Sequence, residues 1–279
     1  MTMRKTQGFT LVELILVMVI IGILVAVSGD VITKPVKAYL TMENRASLTD
    51  NAELALRRMQ RDIRRALPNS IRISNDGLTL EMLHTLDGGR YRDRPDISAT
   101  SGAGLCAENP ADDVLDFTGV DDCFEVMNEL NQFNPQATSG QSLVIYNLGY
   151  GEGDAYTGSN RTTVQNSGKS GIIKFDLLIF PLRSPQQRFF IVDTPIQYRC
   201  DLKSGQLLRY SGYPINATLL SPPKKTTGNQ LSNQVRHCRF SYAEASATRS
   251  GLVSLSLTLG KHSDEAIQLV QQIHVDNVP

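Results

Sequence analysis

The residue pattern predicts an α+β protein, in which a long N-terminal hydrophobic helix (membrane anchor and stem) packs on an antiparallel β-sheet head with long loops and disulfides. Three observations carry this reading. No charge interrupts the run from Leu14 to Gly29. Ala52, Leu56, Met59, Ile63 and Ala66 step by four and three, which draws one apolar stripe on a helix. Val253, Leu255, Leu257 and Leu259 alternate with Ser254, Ser256 and Thr258, the period of a strand with one buried and one wet face. The whole chain, 279 residues at 41% hydrophobic, 20% charged and formally neutral, excludes a disordered tail, a coiled coil or a generally basic nucleic-acid protein. Its charge is uneven, because residues 1–67 hold ten Lys or Arg against six Asp or Glu, net +4, and the remainder is net −4.

The first element begins after Arg4 and Lys5. Phe9 to Gly29 is 21 residues, which as a helix reaches roughly 32 Å, close to the roughly 30 Å hydrocarbon core of a bilayer. Cations on the short leading flank keep that end in the cytoplasm and send the bulk of the chain out. Two fates compete for this segment. An ordinary secretory signal, with Leu14 to Val27 as its apolar region and a small-x-small site at Ala26-Val27-Ser28, would release a soluble domain beginning at Gly29. Against that stands Glu13, since an acid in an apolar helix costs on the order of 2.5–3.5 kcal/mol at mid-bilayer, which a discarded peptide has no use for.

The helix is expected to continue to Leu67, where Pro68 biases its predecessor out of helical geometry. Pro35 is expected to kink or locally melt it. Arg57, Arg58, Arg61, Arg64 and Arg65 ride off the apolar stripe and read as a solvated or subunit-facing face. No aromatic residues are interleaved with them for base stacking, so nucleic acid is not an expected partner.

Beyond Pro68 the helical period disappears. Runs at 78–83, 142–148, 172–180, 189–200, 206–210, 235–242, 252–259 and 267–275 read as strands, and residues 201–205 as a hairpin loop. Residues 84–140 and 149–171, polar and rich in Gly and Asp, read as loops. Cys106, Cys123, Cys200 and Cys238 form no C-x-x-C pair, so zinc and thioredoxin-like readings lose their spacing. In an exported chain they make two disulfides with three possible connectivities, and pairing between sequence neighbours, Cys106 with Cys123 and Cys200 with Cys238, is expected.

Catalytic and cofactor motifs fail on spacing. Gly168-Lys169-Ser170 resembles the end of a P-loop, but Thr163 stands where the first glycine belongs and no strand immediately precedes it. The four histidines lie scattered without H-E-x-x-H or a nucleophile partner. Asp87-Gly88-Gly89 and Glu152-Gly153-Asp154 offer oxygen ligands without EF-hand spacing, so calcium is the one cofactor with any footing. A non-enzymatic protein is expected, with no catalytic residues.

Gly8-Phe9-Thr10-Leu11-Val12-Glu13, after a basic leader and before an apolar stretch, resembles the prepilin processing site of type IV pilins and type II secretion pseudopilins. The resemblance implies a leader at 1–8, a transmembrane half-helix at 9–29, a periplasmic stem at 30–67 and a β-rich head at 68–279. It implies cleavage between Gly8 and Phe9, N-methylation of Phe9, and retention of the helix. The new amine would lie four residues before Glu13, within pairing reach of it or of the Glu13 of an adjacent subunit, so Glu13 would set assembly register. Implied partners are other pilins, the prepilin peptidase, the inner-membrane assembly platform and the membrane, with the subunit passing from the inner membrane to a surface filament. More narrowly, Arg57 to Ser70, Gln197 to Asp201 with Gly205 to Tyr210, and His274 to Pro279 look like the large minor pilins of mannose-sensitive haemagglutinin pili, and the architecture is also similar to J-type pseudopilins. The head loops leave a glycan ligand open.

Overall fold

The computed structural model describes residues 8–95, 106, 113–138, 140–224, 226–244, 250–260 and 266–279. The chain divides into two compact units, residues 1–50 and 51–279. Helix α1, Leu11–Arg64, supplies the first unit through Asp50 and contributes its last turns to the second.

Pro35 lies inside α1 without interrupting it, so the expected local melting does not occur. A proline removes one N–H from the ladder, leaving the Val31 carbonyl without its usual donor, and 54 residues of helix carry that loss. The helix stops at Arg64 and not at the expected Leu67. Backbone bonding passes to the sheet first: the Thr85 N–H donates to the Arg65 carbonyl at 2.9 Å, the Leu67 N–H donates to the Leu83 carbonyl at 2.8 Å, and Ala66 bridges His84.

In the second unit the predicted stripe is the buried face. Ala52, Met59 and Ile63 are wholly inaccessible, with Leu56 and Ala66 nearly so. Strands β1 (Arg72–Ile73), β2 (Thr79–Arg90), β3 (Asp121–Glu125), β4 (Ser142–Ile145), β5 (Arg161–Gln165), β6 (Ile172–Leu178), β7 (Arg188–Asp201), β8 (Gln206–Ser211) and β9 (Asn229–Ser232) form a nine-stranded sheet. Its order is β1-β2-β7-β4-β5-β6-β3, with β8 on β7 and β9 on β8. Strands β10 (Val235–Ala243), β11 (Gly251–Leu259) and β12 (Ile267–Val275) form a second sheet in that order, and all named pairings are antiparallel. In β11 the buried positions are Gly251 and then Val253, Leu255, Leu257 and Leu259, the alternation read from sequence.

Strand β7 organises the larger sheet. One edge runs along β2, while the other pairs with β4 over Phe189 to Val192 and with β8 over Ile196 to Asp201. The change of partner falls at Asp193-Thr194-Pro195. Pro195 has no N–H for a ladder, and β2 shifts register opposite it, between Leu83 and Asp87. The main core is aromatic, with the Phe124 ring 5.1 Å from Phe189, 5.9 Å from Phe175 and 6.1 Å from Tyr91.

Two predicted loops contain strands. Residues 84–140 include the second half of β2 and all of β3, and residues 149–171 include a 3-10 turn at Gly151–Gly153 and β5. The glycines that suggested a loop at 88–89 answer instead to close approach. A Cβ on Gly88 would lie 2.9 Å from the Phe189 carbonyl oxygen, and one on Gly89 would lie 2.4 Å from Asn128 Oδ1, so a side chain there would push strand or loop away.

Disulfides join Cys106 to Cys123 and Cys200 to Cys238, with Cα separations of 5.8 and 6.2 Å. The first ties Cys106 to β3; the second links β7 of the large sheet to β10 of the small one.

Candidate processing and assembly site

The start of α1 is built by Thr10 and Glu13. The Glu13 N–H donates to Thr10 Oγ1 at 3.4 Å and the Leu14 N–H to the Thr10 carbonyl at 3.2 Å. Thr10 therefore acts as N-cap, and Thr-Leu-Val-Glu has the spacing of a capping box. Sequence reasoning missed this role of Thr10, although the T-x-x-E signature before an apolar run was there to read. The Glu13 carboxylate itself is exposed and has no partner among the described residues. A Cβ built on Gly8 would meet nothing within 4 Å, so the fold places no demand for glycine there.

From Phe9 to Val25 large apolar side chains are exposed all round the helix. Phe9 is 80% exposed, Leu11 75%, Met18 67% and Val25 68%. A helix that is apolar on every face has no solvated side and must be covered by other helices or by lipid. Among the described residues no helix is long and apolar enough to cross a membrane. The exposed apolar surface over residues 11–26 runs about 24 Å along the helix. It stands as an apolar surface in want of a partner.

The second unit holds its buried charges in closed networks. Asp62 on α1 accepts the Tyr198 hydroxyl at 2.6 Å and Arg209 Nε at 2.7 Å. Glu81 on β2 accepts Arg72 Nε at 2.8 Å, Gln197 Nε2 at 3.0 Å and the Tyr213 hydroxyl at 2.8 Å. The Arg72 guanidinium also lies 3.6 Å from the Tyr156 ring centroid. Burial and then the neighbouring carboxylates push the Tyr156, Tyr198 and Tyr213 phenols well above their ordinary 10.0. Each carboxylate is spent on donors that fix the sheet, which makes these networks anchors.

His84 Nδ1 lies 2.9 Å from Asp193 Oδ1, with no nucleophile joined to the pair among the bonds seen. The Asp87 carboxylate takes the backbone N–H groups of Gly88, Gln132 and Phe133 at 2.9, 2.7 and 3.1 Å. Asp154 Oδ1 takes the Tyr156 N–H at 2.9 Å. Among the described residues no group of three or more His, Cys, Asp or Glu could hold a metal ion. Around Gly168-Lys169-Ser170, Thr163 lies inside strand β5 rather than after one, and β6 follows where a P-loop requires a helix. Arg57 pairs with Glu53 at 2.6 Å, and the predicted polar arginine face is exposed.

Residues 3–29 match the model of the prokaryotic N-terminal methylation motif. No curated protein and no solved structure matches the chain. The matched segment contains Gly8, Phe9 and Glu13 and implies assembly with other pilins and processing by the prepilin peptidase. The chain thus carries, at residues 3–29, the methylation motif that supports a protein of the type IV pilin-like or pseudopilin kind.

Proposed function

We propose that this chain is a non-enzymatic minor pilin of a mannose-sensitive haemagglutinin type of pilus, seated at or near the filament tip, where it initiates or caps assembly. Residues 9–29 anchor it in the inner membrane with the N-terminus cytoplasmic and the head periplasmic. Cleavage between Gly8 and Phe9 then exposes an amine that is methylated, and Glu13 neutralises that amine on a neighbouring subunit. The observation that carries the reading is the combination in one helix of an all-round exposed apolar surface and an acid without a partner. Stacked copies cover the first and neutralise the second.

Intact mass of the mature protein tests the proposal. The expected product begins at methylated Phe9; a product beginning at Gly29 would establish a secreted soluble domain in its place. Glu13→Val should leave leader cleavage and membrane retention unchanged while removing the protein from sheared filaments, and normal incorporation of that variant would overturn the role given to Glu13.

A further inference from the structure

A cleft of about 650 Å³ opens in the second unit beside the end of α1 and the second half of β2. Four arginines line it: Arg64 and Arg65 from the helix end, Arg90 from β2 and Arg188 from β7. None has a carboxylate partner among the described ion pairs. Two acids in the lining offset part of that charge, but neither forms an ion pair with an arginine. Asp87 is occupied by three backbone N–H groups, and Asp276 Oδ1 accepts the Val278 N–H at 3.2 Å. Two of the arginines have partial duties, since Arg65 donates to the Leu86 carbonyl and to Gln132 Oε1, and Arg188 donates to the Val278 carbonyl. No hydrogen bond or ion pair of the Arg64 or Arg90 side chain is seen.

Unpaired guanidiniums in a concave site focus positive potential and present forked donors that suit a carboxylate. The volume lies within the range of small-ligand sites. A peptide strand has little to grip, because the exposed edge of β2 is taken: the Thr85 N–H goes to Arg65, and the Arg90 carbonyl accepts the Met127 N–H at 2.9 Å. Side-chain donors remain. Gln132 adds an amide, and the half-buried Phe190 adds a ring beside the bare backbone of Gly88. We infer that this cleft binds an acidic saccharide, a sugar ring bearing a carboxylate, whose charge is held by Arg64 and Arg90.

Calorimetric titration of the full mature chain in detergent with trigalacturonate, galactotriose and a hexaglutamate peptide tests this. Trigalacturonate is expected to bind, more weakly as salt rises, while galactotriose is expected to bind at least about tenfold more weakly. Arg64→Gln and Arg90→Gln should each weaken trigalacturonate binding by about tenfold with the melting temperature unchanged, because neither side chain holds the fold. Absence of trigalacturonate binding, equal binding of the neutral sugar, or unchanged affinity in both variants would overturn the inference. Hexaglutamate binding as tightly as the acidic sugar would assign the cleft to a protein partner and overturn it as well. Filament assembly does not enter the measurement, so this inference and the pilin reading fail independently.

Discussion

Replacing Asp62 by alanine should be among the most damaging single changes available in the second unit. The carboxylate is 8% exposed and accepts two strong donors, the phenol of Tyr198 at 2.6 Å and Nε of Arg209 at 2.7 Å. Arg58 lies 3.7 Å away with a side chain 47% exposed, and an exposed pair of that kind adds no more than about 0.5 kcal/mol. Removing the acid leaves the Arg209 guanidinium, whose side chain is 12% exposed, without a counter-charge and with Ser211 Oγ at 3.0 Å as its remaining acceptor, and leaves the wholly buried Tyr198 hydroxyl without an acceptor. Breaking such a pair from one side costs about 3–5 kcal/mol. A unit of this size moves by about 2–4 °C per kcal/mol, so the variant should melt about 6–20 °C lower by circular dichroism of the full chain in detergent with disulfides intact. Tyr198→Phe removes one donor and strands nothing, so its cost should be about 1–2 kcal/mol. The double variant should then be hardly worse than Asp62→Ala alone, because the two side chains share one bond. A melting temperature for Asp62→Ala within about 2 °C of the parent, or strictly additive single effects, would refute the view that this carboxylate pins α1 to β7 and β8.

Reduction should lower the melting temperature of the second unit and leave membrane retention untouched. Opening Cys200–Cys238, which closes 38 residues of sequence, should cost about 4 kcal/mol, against about 3 kcal/mol for Cys106–Cys123; a melting curve indifferent to reductant would count against both. Alkali should unfold the protein above about pH 10. The folded state holds the Tyr156, Tyr198 and Tyr213 phenols neutral while the unfolded chain ionises them, so their contribution is complete below that pH and declines as pH rises. Each should remove about 1 kcal/mol per pH unit, and denaturant midpoints at about pH 9 and about pH 11 should differ less in Tyr213→Phe than in the parent. Gly8→Val should fold normally, since a side chain there meets nothing, yet retain the leader by mass; full processing would show that glycine is not what the peptidase reads.

The parts legible in the sequence were those with a strong period or a local chemical signature. The stripe from Ala52 to Ala66 and the alternation from Val253 to Leu259 each identified a buried face because one side of the element meets the core along its whole length. Strands β3, β5 and β9 escaped because their residues are polar or mixed and their pairing is non-local, as with Arg161-Thr162-Thr163 against β4. The second half of β2 was hidden by Asp87-Gly88-Gly89, a turn-like tripeptide that close packing against Phe189 and Asn128 makes obligatory. At the candidate site, Gly8, Phe9 and Glu13 stood out through local spacing, whereas the arginine cleft joins residues 64, 65, 90 and 188 from three elements, and no local pattern marks such a meeting.

The handover at the end of α1 also decides where a mechanical load would go. A pull arriving through residues 51–64 reaches the Arg65–Thr85 and Leu67–Leu83 backbone links to β2 and the Asp62 clamp on Tyr198 of β7 and Arg209 of β8, so that three strands of the larger sheet take it up together. Tension is thereby shared across paired strands of the larger sheet rather than concentrated on a peripheral loop.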